Sequence, residues 1–245
     1  MPGNTQGIEG NHANSRPRFG IDAPGLVLGF AIGGPLLLLA SLFDGFAPAL
    51  SLTMRYTGSV LCAEAILMTL SSLYGKQRVI RRMIDSLQLH GGEQVLDVGC
   101  GRGLLLLEAA RRLPCGRATG LDLWSTRDQS GNAAAATQHN AELAGVADRV
   151  RIDTGDMRHL PYADASFDAI VSSLAIHNLP TETDREQAVR EIARVLKPGG
   201  RVALLDFRHT ALYAQVLREA GLDVRRSWPE FRMFPWVWIV RGRKP

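Results

Sequence analysis

The hydrophobic pattern changes character twice along the chain. Residues 1–20 are polar and rich in Gly, Asn and Pro, with no apolar period, which predicts a disordered tail. No charge lies between Asp22 and Asp44, and residues 25–43 (GLVLGFAIGGPLLLLASLF) are apolar on every side. A helix needs about 20 such residues to cross a bilayer, so this run just reaches a span. Gly33, Gly34 and Pro35 weaken a helix in water but are tolerated in lipid. A second run, residues 56–75, carries Glu64 as its one charge and is the weaker span. It reads either as a second membrane helix or as a helix lying across a substrate mouth. With both segments spanning, residues 44–55 form a short outer turn. Ala47-Pro48-Ala49 resembles a cleavage site, but the tail is too long and the apolar run too extended for a signal peptide. Residues 76–88 place Val79, Ile80, Met83, Ile84 and Leu87 at helical spacing, with basic residues on the solvated face.

From Gly92 onward strand and helix patterns alternate. Strands are predicted at 93–98, 117–123, 149–154, 167–172 and 201–206, with helices at 104–113, 131–144, 183–196 and 211–220. Lys197-Pro198-Gly199-Gly200 reads as a helix stop. Two further strand-like pieces, 223–227 and 233–241, are joined by too short a connection for a parallel return, so they are antiparallel. Pro235 weakens the second or marks a bulge. This alternation predicts a doubly wound, mainly parallel α/β sheet with helices on both faces.

Charge sharpens the division. Seven of the chain's charged side chains fall in the first 75 residues, against 28 basic and 24 acidic in the whole 245. The chain therefore divides into a tail (1–20), a hydrophobic segment (21–75) and an α/β domain (76–245). Arg16 and Arg18 precede the first run, and Lys76, Arg78, Arg81 and Arg82 follow the second. The positive-inside rule then puts both ends in the cytoplasm, with the basic residues beside anionic head groups. A net charge of +4 without basic blocks interleaved with aromatics argues against a nucleic-acid partner. Cys62, Cys100 and Cys115 supply neither a disulfide framework nor a metal pattern. Phe234, Trp236 and Trp238 read as packing for the last strand, with the bilayer interface as the alternative.

In an open parallel sheet ligands bind beyond the carboxyl ends of the strands. The first strand ends in Asp97-Val98-Gly99-Cys100-Gly101-Arg102-Gly103. The glycines allow a tight turn and close approach of a ligand, and the next helix opens with free N–H groups. Asp97 suits a cationic amine rather than a pyrophosphate, and the G-x-G-x-G spacing differs from that of dinucleotide binders. Asp122 closes the second strand and suits ribose hydroxyls. Asp156 and Met157 follow the third strand, where they can meet an adenine edge, with Leu123 on the other face of the base. Ser172 and His177 follow the fourth.

These motifs resemble those of class I S-adenosylmethionine-dependent methyltransferases of the small-molecule group. VLDVGCGRG (95–103) is similar to the cofactor motif, GLDLW (120–124) to the acidic ribose loop, GDM (155–157) to the adenine motif, and LKPGGRVALLD (196–206) to the fifth-strand segment. The resemblance implies a Rossmann-like seven-stranded sheet with an antiparallel last strand, and S-adenosyl-L-methionine as cofactor. Asp97, Gly99 and Gly101 would hold its methionine part, Asp122 its ribose, and Asp156 with Met157 its adenine, with Gly103, Leu123 and Ser172 completing the cofactor-binding set. The loop 124–132 departs from the simpler pattern. Trp124, Arg127, Asp128 and Asn132 are candidate rim residues there, and His177 is the candidate base.

The resulting expectation is a membrane-anchored methyltransferase facing the cytoplasm and acting on a small, lipophilic acceptor, without metal. Two alternatives are a non-catalytic S-adenosylmethionine-binding membrane module and an NAD(P)-linked oxidoreductase. The glycine spacing disfavours the latter.

Overall fold

The computed structural model describes residues 17, 19, 23–43, 45–125 and 133–245. The predicted tail, except Pro17 and Phe19, and the rim candidates Arg127, Asp128 and Asn132 lie outside the described residues.

Seven strands form one sheet: β1 (Gln94–Val98), β2 (Arg117–Asp122), β3 (Val150–Thr154), β4 (Phe167–Ser173), β5 (Leu196–Asp206), β6 (Asp223–Arg226) and β7 (Trp238–Arg243). The order is β3-β2-β1-β4-β5-β7-β6. The pairs among β1–β5 are parallel, while β7 runs antiparallel to both β5 and β6. Side chains alternate between the faces of a strand. Val95 therefore packs in a layer with Ile80 and Met83 of α3 (Lys76–Asp85) and Leu106 of α4 (Leu104–Ala110). Its neighbours Leu96 and Val98 pack with Val189 of α6 (Glu182–Val195) and Tyr213 of α7 (Thr210–Glu219). Both faces are covered, which explains why the central strands are apolar runs rather than alternating ones.

Two boundaries differ from the sequence reading. The helix stop at Lys197–Gly200 is part of β5. Leu196 pairs with Phe167, the register then shifts, and Arg201 pairs with Ala169. The Gly199 N–H donates to the Lys244 carbonyl and the Lys244 N–H to the Gly200 carbonyl, both at 3.0 Å. Pro and Gly thus mark a bulged strand start rather than a separate turn. The last strand begins only at Trp238, so Pro235 lies in the loop before it.

The N-terminal segment is a helical hairpin, α1 (Pro24–Ala40) and α2 (Pro48–Leu70). The turn is therefore 41–47, shorter than the predicted 44–55, because Pro48 starts α2 as an N1 proline. After α2 a five-residue π-helical turn, Ser71–Gly75, leads without a break into α3. Pro48–Asp85 is thus one helix of 38 residues, and among the described residues it is the one long and apolar enough, by length and composition, to cross a membrane, with its apolar window 28% buried. This reverses the ranking from sequence. The 17 residues of α1 rise about 25 Å, against a hydrocarbon core of about 30 Å. The helices cross at two glycines: a β-carbon on Gly34 would lie 2.7 Å from Cys62 Sγ, and one on Gly58 2.8 Å from the Gly34 carbonyl.

Candidate active site

The strand order reverses between β1 and β4, and the crevice at their carboxyl ends is where the candidate residues meet. The chain leaves β1 through Gly99, whose φ of +75° and contact with Ala175 leave no room for a side chain. The glycine loop is pinned to the end of β2. The Gly99 and Cys100 N–H groups donate to the Leu121 carbonyl at 2.8 and 3.2 Å. The Gly101 N–H donates to Asp122 Oδ2 at 2.8 Å, and the Trp124 N–H to Asp122 Oδ1 at 2.7 Å. Each carboxylate oxygen can accept more than one bond, so Asp122 can brace the loop and still receive hydroxyl donors. Behind the loop, α5 (Ala134–Leu143) contributes Thr137 Oγ1, donating to the Gly101 carbonyl at 2.6 Å, and Asn140 Nδ2, donating to that of Arg102 at 2.9 Å.

Asp97 is 1% exposed, and neither carboxylate oxygen has a hydrogen-bond partner among the described residues. Burial, and then the charge of Asp122, push its pKa up to about 8. A buried carboxylate without partners is costly unless a cation meets it. The donor set therefore fits a ligand carrying an ammonium and sugar hydroxyls.

The cleft encloses about 430 Å³. Asp97, Gly99, Gly101, Asp122, Leu123 and Met157 line it, as the sequence predicts. Ser173 at the end of β4, and Ala175 and Asn178 beyond it, add to the wall. Phe19, Ala23 and Pro24 at the start of the hairpin, and Lys76 and Ile80 of α3, complete the lining from outside the sheet. A second hollow of about 470 Å³, lined by Gln94, Arg117 and Arg151, sits at the opposite ends of the strands, away from the ligand position of such sheets.

Five predicted residues fall outside the cleft lining. Gly103 starts α4 in a left-handed conformation against Thr137. Ser172 is buried, with Oγ donating to the Val98 carbonyl at 2.7 Å, so it ties β4 to β1 and leaves the cleft to Ser173. Asp156 is clamped by Arg158, whose Nη2 lies 2.6 Å from Oδ2, and this pairing lowers its pKa. Arg158, not Asp156, reaches the wall. Trp124 donates from Nε1 to Thr154 Oγ1 at 2.8 Å.

His177 also lies just beyond the wall. Its Nδ1 is 2.8 Å from Asp206 Oδ1, its N–H donates to Oδ2 at 3.3 Å, and its ring meets Phe207 edge-on. Asp206 is buried at the end of β5 and also accepts from the Phe207 N–H at 2.8 Å and the Tyr213 hydroxyl at 3.2 Å. The Asp206 carboxylate thus lies against the imidazole edge and accepts from the His177 backbone N–H, while Nδ1 itself makes no hydrogen bond among the described residues. The sequence reading missed Asp206, although a carboxylate ending the fifth strand is the same signal that drew attention to Asp97 and Asp122.

A family model described as a methyltransferase domain matches residues 96–204. The methyltransferase GfsG of Streptomyces halstedii is 38% identical over 130 residues, 53% of this chain and 43% of that protein. The 27-O-demethylrifamycin SV methyltransferase of Amycolatopsis mediterranei is 37% identical over 133 residues, 53% and 44% of the two chains. The ubiquinone/menaquinone biosynthesis C-methyltransferase UbiE of Roseobacter denitrificans is 37% identical over 125 residues, 51% and 46%. The chain spans less than half the length of these relatives. Among solved structures, the [4+2]-cyclase SpnF superposes with a TM-score of 0.60 at 22% identity over 71% of this chain and 84% of that one. A SAM-dependent methyltransferase from Aquifex aeolicus gives 0.57 at 17% identity over 74% and 98%. These two show the fold alone. Residues 96–204 thus match a methyltransferase domain, and the donor set of the cleft fits S-adenosyl-L-methionine as its cofactor.

Proposed function

We propose that the protein is a methyltransferase acting on a small, lipophilic acceptor at the cytoplasmic face of a membrane. The observation that carries this reading is the cleft mouth: Phe19, Ala23 and Pro24 at the start of an apolar helical hairpin, and Lys76 and Ile80 of α3, share a cavity with the glycine loop and Asp97. An acceptor dissolved in a bilayer around that hairpin would reach the cleft without crossing water. The hairpin's surface supports this. Leu28, Leu36, Leu39, Leu42 and Leu52 are each more than half exposed, far more apolar surface than a soluble monomer presents. Lys76, Arg78, Arg81 and Arg82 follow it on the side where the positive-inside rule places the cytoplasm. Relatives named for quinone biosynthesis and for a rifamycin support a small-molecule acceptor.

In this reading Asp97 holds the ammonium of the methionine part and the glycine loop accepts close backbone contact. Asp122 receives the ribose hydroxyls, and Leu123 and Met157 flank the adenine. The cofactor supplies a methyl group already activated on a sulfonium, so the protein's work is alignment and exclusion of water. His177, held by Asp206, accepts the proton when the acceptor must lose one.

The test is methyl transfer in reconstituted bilayers with methyl-labelled S-adenosylmethionine, offered lipid extract and aqueous extract in parallel. Label entering the lipid extract is the expected result. Label confined to water-soluble product would overturn the lipophilic acceptor, and failure to bind S-adenosylhomocysteine would overturn the site.

A further inference from the structure

Among the described residues beyond Gly75, the exposed large apolar side chains are Leu123, Trp228, Phe231 and Trp236. The last three share one loop, residues 227–237, between β6 and β7. Trp228 is 90% exposed, Phe231 66% and Trp236 53%. Phe231 and Trp236 meet edge-to-face at 5.1 Å.

The loop is firmly built. Met233 and Val237 are buried in the layer that holds α3. The Ser227 N–H donates to the Ile239 carbonyl at 2.9 Å, and the Glu230 N–H to the Val237 carbonyl at 2.8 Å. Arg232 pairs with Glu230 at 2.8 Å. A braced loop that holds three aromatic rings in water, while burying its neighbours, presents a surface suited to an apolar contact.

Its position says which contact. The Phe234 N–H donates to Ser71 Oγ at 2.8 Å, and the Arg232 carbonyl presses on Gly75 so closely that a β-carbon there would collide with it. Ser71 and Gly75 bound the π-helical turn where the apolar part of the long helix gives way to the basic α3. Leu70, Leu73 and Tyr74 are exposed on one side of this junction, and Arg78, Arg81 and Arg82 on the other. Aromatic rings flanked by arginines, at one end of an apolar rod, match the chemistry of the lipid head-group layer.

We propose that loop 227–237 is a second membrane contact, seating Trp228, Phe231 and Trp236 in the anionic head-group layer of the bilayer that receives the hairpin. This rests on the membrane reading above. Together with the hairpin, the loop fixes how the sheet domain stands on the membrane, with the cleft mouth at Pro24 and Lys76 turned toward the lipid.

The test uses the full chain with Trp124, Trp236 and Trp238 replaced by Phe, so that Trp228 is the sole reporter. It is reconstituted in phosphatidylcholine–phosphatidylglycerol bilayers brominated either near the head group or deep in the acyl chain. A cooperative thermal melt and a circular-dichroism spectrum matching the parent show that the variant folds. The expected result is at least a twofold loss of Trp228 fluorescence with the shallow label and a smaller loss with the deep one. If the protein resists carbonate extraction yet Trp228 is unquenched, the loop proposal falls and the hairpin reading stands. A Trp228 shielded by a second copy, seen as an unquenched dimer, overturns it in the same way. If carbonate strips the protein from the bilayer, both readings fall.

Discussion

In the sheet, Leu96, Ile170 and Leu204 keep no more than 1% of their surface exposed; in the hairpin, Leu39, Leu42 and Leu52 keep 63%, 67% and 69%. The same side chain is used in opposite ways. The sheet turns its leucines inward against helices on both faces, and its polar groups converge at the strand ends. The hairpin packs itself through Gly34 and Gly58 and leaves its leucines outward. Small residues at a crossing and large apolar residues outside are the arrangement expected where the surroundings are themselves apolar. Exposure of leucine is therefore informative here because it runs along the whole hairpin, whereas beyond Gly75 Leu123 alone among the described residues shares it.

The comparison can be broken by changes that should disturb one region and spare the other. The largest effect is expected at the strand ends. His177→Gln should lower kcat about 100-fold or more, the usual scale of a lost general base, with cofactor affinity unchanged in calorimetry. An unaffected kcat would remove proton transfer from the mechanism. Asp97→Asn should weaken S-adenosylhomocysteine binding about 30- to 100-fold, the scale of a lost charge-assisted bond at a buried site, and should leave membrane association intact.

A pH experiment sharpens the same point. The native pKa of Asp97, about 8, lies above the value near 3.9 expected of an unfolded aspartate. The proton thus favours the native state: its contribution to the stability of the cofactor-free protein is full below about pH 4 and is lost as pH rises through about 8. A cationic ligand needs the ionised form, so binding at pH 7 should release close to one proton. Calorimetry in buffers of different ionisation enthalpy measures this release, and Asp97→Asn should abolish it.

In the hairpin, Gly34→Val should drive a side chain into Gly58 and Cys62, costing about 1–3 kcal/mol of hairpin packing. Faster proteolysis of 24–70 in bilayers would report it, with cofactor binding within twofold of the parent. The smallest effect belongs to Thr181→Ala. It removes the N-cap bond from the Asp184 N–H at 3.0 Å and should cost about 1 kcal/mol, seen as a Tm lower by a few degrees.

The alternation of strands and helices was legible because each strand reports its own burial. The glycine loop, Asp97 and Asp122 were legible because strand ends gather ligands whatever the chemistry. What escaped the sequence depends on contacts made across long separations. Asp156 looked available because nothing in GDM announces the clamp by Arg158. Asp206 was overlooked because its partner, His177, comes 29 residues earlier. The hairpin boundaries failed for another reason: the composition changes at Lys76, but the helical backbone does not, so a change of composition reads as a change of element. The sequence points Phe234, Trp236 and Trp238 to packing, a role that the half-buried Trp238 fills beneath the Arg226 guanidinium at 4.9 Å, while Trp236 remains exposed.

That shared helix has a mechanical consequence. A domain on a floppy tether can tumble and drift from its anchor. Here the rod from Pro48 to Asp85 enters the sheet's own packing through Val79, Ile80 and Met83, and Arg201 fastens its far end by donating to the Leu87 and Gln88 carbonyls. Hairpin and sheet therefore move as a lever and its load, and the widened coil at Ser71–Gly75 is the natural place for that lever to bend.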